Sequence, residues 1–199
     1  MFAYCQNSPV INEDKLGQRM MSSLDIEIGG DAYSDADLVI LDNTEEIIEA
    51  AKTYNIDPYV LAACIHTEQS INYDMMDVLI DVPLFWMDTS VGISQVRIST
   101  VKLLEDNGYI DRIDTGLIAE LEIANHLSND NAYNVNCAAA YLSFIQTQWA
   151  DNYDVSKNPA VWGTLYNQGN IRPPHPNPGP NNFGEKVAAK YWYMEMLLH

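Results

Sequence analysis

Basic residues are scarce in this chain. Ten Lys and Arg stand against 28 Asp and Glu, a net charge of −18 over 199 residues. That balance argues against nucleic-acid binding, because the phosphate contacts that supply most of such affinity need a Lys/Arg surface. It disfavours anionic membrane surfaces for the same reason. The acidic surplus fits a well-solvated surface, a basic protein partner, or a salty working environment. No run of 18 apolar residues occurs, so no segment has the length and character to span a bilayer. The opening stretch "MFAYCQNSPVINEDK" lacks the basic start and apolar middle of a secretory signal. The expectation is therefore a cytosolic protein, one delivered by a route that needs no such signal, or a fragment of a longer chain.

Cysteine is also rare. Cys5, Cys64 and Cys137 are odd in number and form no CxxC pair, so a disulfide framework is not indicated. Cys64 and Cys137 lie in apolar stretches and read as small core residues. His66, His126, His175 and His199 show no HExxH or comparable grouping, and no metal site is expected. Asp31, Asp35 and Asp37 cluster without the spacing of a calcium loop and read as a solvated loop.

What is present is helical periodicity over a core-forming composition, 47% hydrophobic. A chain of this length can bury roughly 70% of its unfolded surface and needs neither disulfides nor metal. Residues 1–42 mix Gly, Ser and Asp with short apolar runs and read as an irregular N-terminal arm. Residues 43–199 read as one mainly α-helical domain with long loops. Asn43 and Glu46 suggest a capping box for a first helix. Asp57 and Pro58, as N-cap and first helical residue, open a second helix that should end near Ser70. Ser99 and Gly108 bracket a third. Helices follow in "TGLIAELEIANHLSN", "NVNCAAAYLSFIQTQWADNY", "NPAVWGTLYNQGN" and "FGEKVAAKYWYMEMLL", while "IRPPHPNPGPNN" is too rich in proline to be helical.

One stripe carries chemistry. Leu61, Cys64, Ile65 and Glu68 fall at i, i+3, i+4 and i+7, on one helix face. Three are apolar and the fourth is a carboxylate. Desolvation at the end of such a face favours the protonated acid, and a protonated Glu can donate to a leaving oxygen, as glycoside cleavage requires. His66, about 200° round the helix from Glu68, reads as a surface or opposite-face residue.

Downstream elements fall into a recognisable order. "IIEAAKTYNIDPYVLAACIHTE" leads to Glu68, "SVGISQV" supplies Gly92 and Gln95, and "LYNQG" supplies Tyr166, Asn167 and Gly169. Over residues 44–198 the chain resembles the lysozyme-like superfamily, specifically the soluble lytic transglycosylases and goose-type lysozymes. Two departures are visible: Gln69 intervenes between Glu68 and Ser70, and Ser94 stands where the family has Met. The resemblance implies a lysozyme-like fold and cleavage of the β-1,4 bond between N-acetylmuramic acid and N-acetylglucosamine in peptidoglycan glycan strands. It implies Glu68 as the single general acid/base and no cofactor. Gln95 and Asn167 would hold sugar hydroxyl or N-acetyl groups, and Tyr166 would hydrogen-bond Glu68 or the substrate. Gly92 and Gly169 would let backbone approach the saccharide. The incoming nucleophile is the sugar's own 6-hydroxyl in transglycosylases and water in goose-type lysozymes. Tyr73 and Trp86 are candidates for stacking on sugar rings. Asp74, Asp77, Asp81 and Asp88 are candidates for a second carboxylate.

Such an enzyme would act at the bacterial cell wall, in the periplasm or outside the cell. The missing leader then points to a phage lysin or a secreted antibacterial effector, the latter with a cognate inhibitor or immunity protein as partner. The alternative from another class is a non-catalytic glycan- or protein-binding module on the same fold. A chitinase or chitosanase of related fold is a more distant enzyme rival.

Overall fold

The computed structural model describes residues 34–72, 90–113, 118–169 and 179–199. Among them run eight helices: α1 (Asp35–Asp42), α2 (Thr44–Tyr54), α3 (Pro58–Asn72), α4 (Ile98–Asp106), α5 (Ala119–Asn129), α6 (Asn131–Trp149), α7 (Pro159–Gln168) and α8 (Asn182–Leu197). A small antiparallel hairpin, β1 (Ser90–Val91) and β2 (Val96–Arg97), pairs Ser90 with Arg97 and Val91 with Val96. The body is thus mainly α, as expected.

Helix α6 is the centre. Val135, Cys137, Ala138, Ala139, Ala140 and Leu142 are all fully buried, so the helix is apolar around its circumference rather than along one stripe. The three alanines lack bulk, which lets α2, α4, α5 and α7 approach it. Helix α3 is buried in the same way from Val60 to Ile65 and packs on α1, α2, α7 and α8. Each fully buried Leu or Ile here contributes roughly 1.5–3 kcal/mol relative to exposure. Cys64 and Cys137 are free thiols inside these two helices. Burial raises both pKa values, that of Cys137 to about 12, so neither is a reactive thiolate at neutral pH.

Local signals explain most of the helix ends. Asn55 ends α2 in the left-handed region at φ 52°, with Ile56 N–H bonded back to Ala51 O at 3.0 Å. Asp57 Oδ1 then accepts the Tyr59 N–H at 2.8 Å, capping α3, while its Oδ2 accepts the Tyr191 hydroxyl of α8 at 2.6 Å. Gly108, at φ 72°, closes α4, with Tyr109 N–H reaching Leu104 O at 2.9 Å. Helix α3 runs two residues beyond the expected end at Ser70. The capping box at Asn43 does not form. Asn43 Nδ2 instead donates to Val39 O at 2.7 Å, because a helix, not an irregular segment, precedes it.

That preceding helix is the main correction. Residues 35–42, read as part of an irregular arm, form α1, which packs on α3 and buries Ala36, Asp37 and Ile40. Residues 1–33 of the expected arm lie outside the described residues. Asp37 is therefore not on a solvated loop, and His66 is not on the surface. The two side chains are buried together, His66 Nε2 lying 2.8 Å from Asp37 Oδ1. Lys190 of α8 completes the cluster, reaching His66 Nδ1 and, at 2.9 Å, Ser70 Oγ.

Ser70 in turn donates to the His66 carbonyl at 2.7 Å. A polar network thus bolts α1 and α8 to the face of α3 opposite Glu68. Burial and the neighbouring Lys190 ammonium lower the His66 pKa, and burial pushes Lys190 down to about 8. The unfolded chain binds a proton at this imidazole first as pH falls through about 6.5, so acidification favours unfolding. Urea unfolding is expected to show stability falling from pH 7 towards pH 5.5, with a shallower slope in His66→Gln. An identical slope in the two proteins would remove His66 from the pH response.

Candidate active site

Four chain segments converge on a cleft of about 100 Å³, open to solvent. Its lining comprises Glu68 from α3, Ser90 from β1, Gln95 to Arg97 and Thr100 from the hairpin and the start of α4, Tyr141 from α6, and Tyr166, Asn167 and Gly169 from the end of α7. Glu68 lies one turn beyond the fully buried Cys64 and Ile65 and is half-buried itself. The apolar stripe of Leu61, Cys64 and Ile65 thus ends, at its terminal carboxylate, on the cleft wall. Glu68 is the only carboxylate among the described lining residues. Its proximity is felt by two neighbours: the pKa values of Tyr166 and Cys64 are raised first by burial and then by the Glu68 charge.

Gln95, Tyr166 and Asn167 join Glu68 at this cleft although they lie 27 to 99 positions along the chain. Gln95 adopts a left-handed backbone, φ 51°, unusual for a residue with a Cβ. Its side-chain amide donates to Gly92 O at 2.8 Å, and its backbone N–H bonds the same carbonyl at 3.1 Å. One amide N–H and the side-chain carbonyl remain for the cleft. Tyr166 does not donate to Glu68. Its buried hydroxyl donates to Ser94 O at 2.6 Å and ties the hairpin turn to α7. Its ring packs beside Tyr141, with centroids 5.7 Å apart. Asn167 is exposed at the rim and accepts from Asn181 Nδ2 at 3.2 Å. Gly169 combines φ 79° with ψ −152°, a conformation open essentially to glycine alone.

Gly92 is placed differently from its expected role. A Cβ there would lie 2.2 Å from both Asn134 Nδ2 and Leu127 O, at a backbone φ of 76°. The glycine makes room for helices α5 and α6 against the turn and is not among the described cleft lining. Tyr73, Trp86, Asp74, Asp77, Asp81 and Asp88 lie outside the described residues.

Sequence reasoning missed the residues that hold the turn. Asn134, fully buried on α6, accepts the Ser94 N–H at 2.7 Å and donates to Val91 O at 2.9 Å and Leu127 O at 3.1 Å. Gln69, noticed only as a departure from the family pattern, donates to Ile93 O at 2.6 Å. Asn134 opens the run of small residues "NVNCAAA", and a polar side chain at the head of such a run is the signal that marks the first. Arg97 and Tyr141 also line the cleft and were not singled out. Burial raises the Tyr141 hydroxyl to about 12, against the opposing effect of Arg97.

With Glu68 at the mouth of such a groove, one comparison with known proteins decides the family. Residues 34–147 match the model of the type VI secretion system (T6SS) peptidoglycan muramidase Tse3, catalytic domain. The chain belongs to this family. It is a muramidase of the lysozyme type, an enzyme that cleaves the glycan of the cell wall, and its class is that of antibacterial effectors. No curated protein and no solved structure matches the chain. The match begins within one residue of α1, in keeping with that helix being part of the folded body. No helix among the described residues is long and apolar enough to cross a membrane.

Proposed function

We propose that this muramidase cleaves the β-1,4 bond between N-acetylmuramic acid and N-acetylglucosamine, with Glu68 as general acid and then general base. The observation that carries this reading is the position of Glu68, the sole carboxylate of the described cleft wall, at the end of a buried helix face. In the first half of the reaction the Glu68 carboxylic acid gives its proton to the glycosidic oxygen as the bond from C1 breaks. In the second the carboxylate takes a proton from water, whose oxygen bonds to C1. Water is taken as the nucleophile because the matched family is described as a muramidase. Gln95 and Asn167 present amide groups to sugar hydroxyl or N-acetyl groups. Tyr166 acts through the turn it anchors.

The test is mass analysis of the fragments released from purified sacculi. Reducing muropeptides are expected. Anhydro ends would replace water by the internal hydroxyl, and release of nothing would return the chain to the glycan-binding alternative.

The substrate lies in the periplasm or outside the cell, and the acidic surface supports a cognate immunity protein of basic character as the neutralising partner. Co-purification from the producing cell should recover one specific basic binder, and recovery of none removes that partner from the proposal.

A further inference from the structure

Cations are few in this molecule, and those on the described residues are mostly engaged. Lys102 pairs with Glu120, Arg112 with Asp106 and Lys157 with Asp154, while Lys190 joins the buried His66 cluster. Arg97, like Lys52 and Lys186, forms no ion pair among the described residues. It alone of the cations belongs to the described cleft lining.

Its backbone is fixed from both sides. Arg97 is paired with Ser90 in the hairpin and immediately precedes α4, and the turn before it is held by Asn134, Gln69 and Tyr166. Arg97 gives the hairpin side of the groove a positive charge, towards which an anionic substituent is drawn.

We infer that Arg97 is a specificity residue that binds a carboxylate carried by the muramyl sugar, so that the cleft prefers carboxylate-bearing glycan to neutral glycan of the same backbone. A guanidinium presents a planar fork of N–H donors that matches a carboxylate with two parallel hydrogen bonds. The carboxylate has two sources, the lactyl group of a muramyl sugar without its peptide and the first acids of an attached peptide stem. The inference rests on the proposed placement of the glycan in this cleft.

Binding tests it without depending on turnover. Glu68→Gln and the double variant Glu68→Gln/Arg97→Gln are titrated with three glycans: peptide-free strands with free lactyl carboxylates, the same strands amidated at those carboxylates, and strands carrying peptide stems. The single variant is expected to bind one carboxylate-bearing glycan roughly tenfold more tightly than the amidated one. The double variant should lose that preference, and Glu68→Gln/Arg97→Lys should restore part of it. Tight binding of the peptide-free strands assigns the lactyl group, and preference for stem-bearing strands alone assigns the stem. Equal affinities for all three glycans in the single variant, or a preference that survives Arg97→Gln, overturns the inference. Retained cleavage by Glu68→Gln would instead overturn the catalytic assignment and leave the carboxylate preference to be read by itself.

Discussion

Glu68→Gln is expected to slow the release of soluble muropeptides from sacculi on the order of 1,000-fold, the range that a positioned general acid contributes. Glutamine keeps the length and shape of the side chain but has no acidic proton to hand to the glycosidic oxygen. The fold has little to lose. Glu68 is half-buried at the cleft, beyond the fully buried turns of α3 that carry the packing. Thermal unfolding of the variant should therefore stay within about 1 kcal/mol of the parent, as substitutions away from cores and buried networks usually do. Glu68→Asp makes the complementary point. It keeps the acid but withdraws it by one methylene, and misplacement of about 1 Å costs on the order of 100-fold. A fall of less than tenfold in Glu68→Gln, with unfolding unchanged, would mean that another group supplies the proton.

Part of this site was legible in the sequence because its signals are local. Asp57 and Pro58 announce the start of α3, and the helical period then carries Glu68 to the end of an apolar face. Gln95, Tyr166 and Asn167 were picked out by the order of short motifs, and the fold brings them to the same cleft. The remainder depends on pairings across distance. Helix α1 was unreadable because its buried face includes Asp37, and a buried carboxylate makes sense only once His66, 29 positions away, is beside it. Gly92 looked like a point of substrate approach for a similar reason. Nothing near it in sequence reveals that α5 and α6 fill the space where a side chain would go. Tyr166 was assigned to Glu68 or the substrate, whereas its hydroxyl meets a carbonyl 72 positions away.

Asn134 is where these distant pairings concentrate, and its replacement should have the largest effect on stability. Its one side chain answers the Ser94 N–H and the carbonyls of Val91 and Leu127, all from a position with no solvent exposure. In Asn134→Ala these buried backbone groups lose their partner at once. Each such loss costs about 1–3 kcal/mol, and water entering the vacated space relieves part of it. A net loss of about 3 kcal/mol in urea unfolding is the expected result.

Activity should fall further than the folded fraction does, because the turn that Asn134 holds carries Gln95 and Arg97 and offers Ser94 O to Tyr166. Measuring muropeptide release at low temperature, where the variant remains folded, separates the two effects. Asn134→Asp sharpens the test. Its carboxylate can still accept from Ser94, but it faces two carbonyl oxygens with no donor, so at neutral pH it should be no more stable than the alanine variant. Protonation on acidification returns one donor, and relative to Asn134→Ala it should then regain stability. If Asn134→Ala unfolds within about 1 kcal/mol of the parent and cleaves at the parental rate, the turn is held by Gln69 and Tyr166 without it.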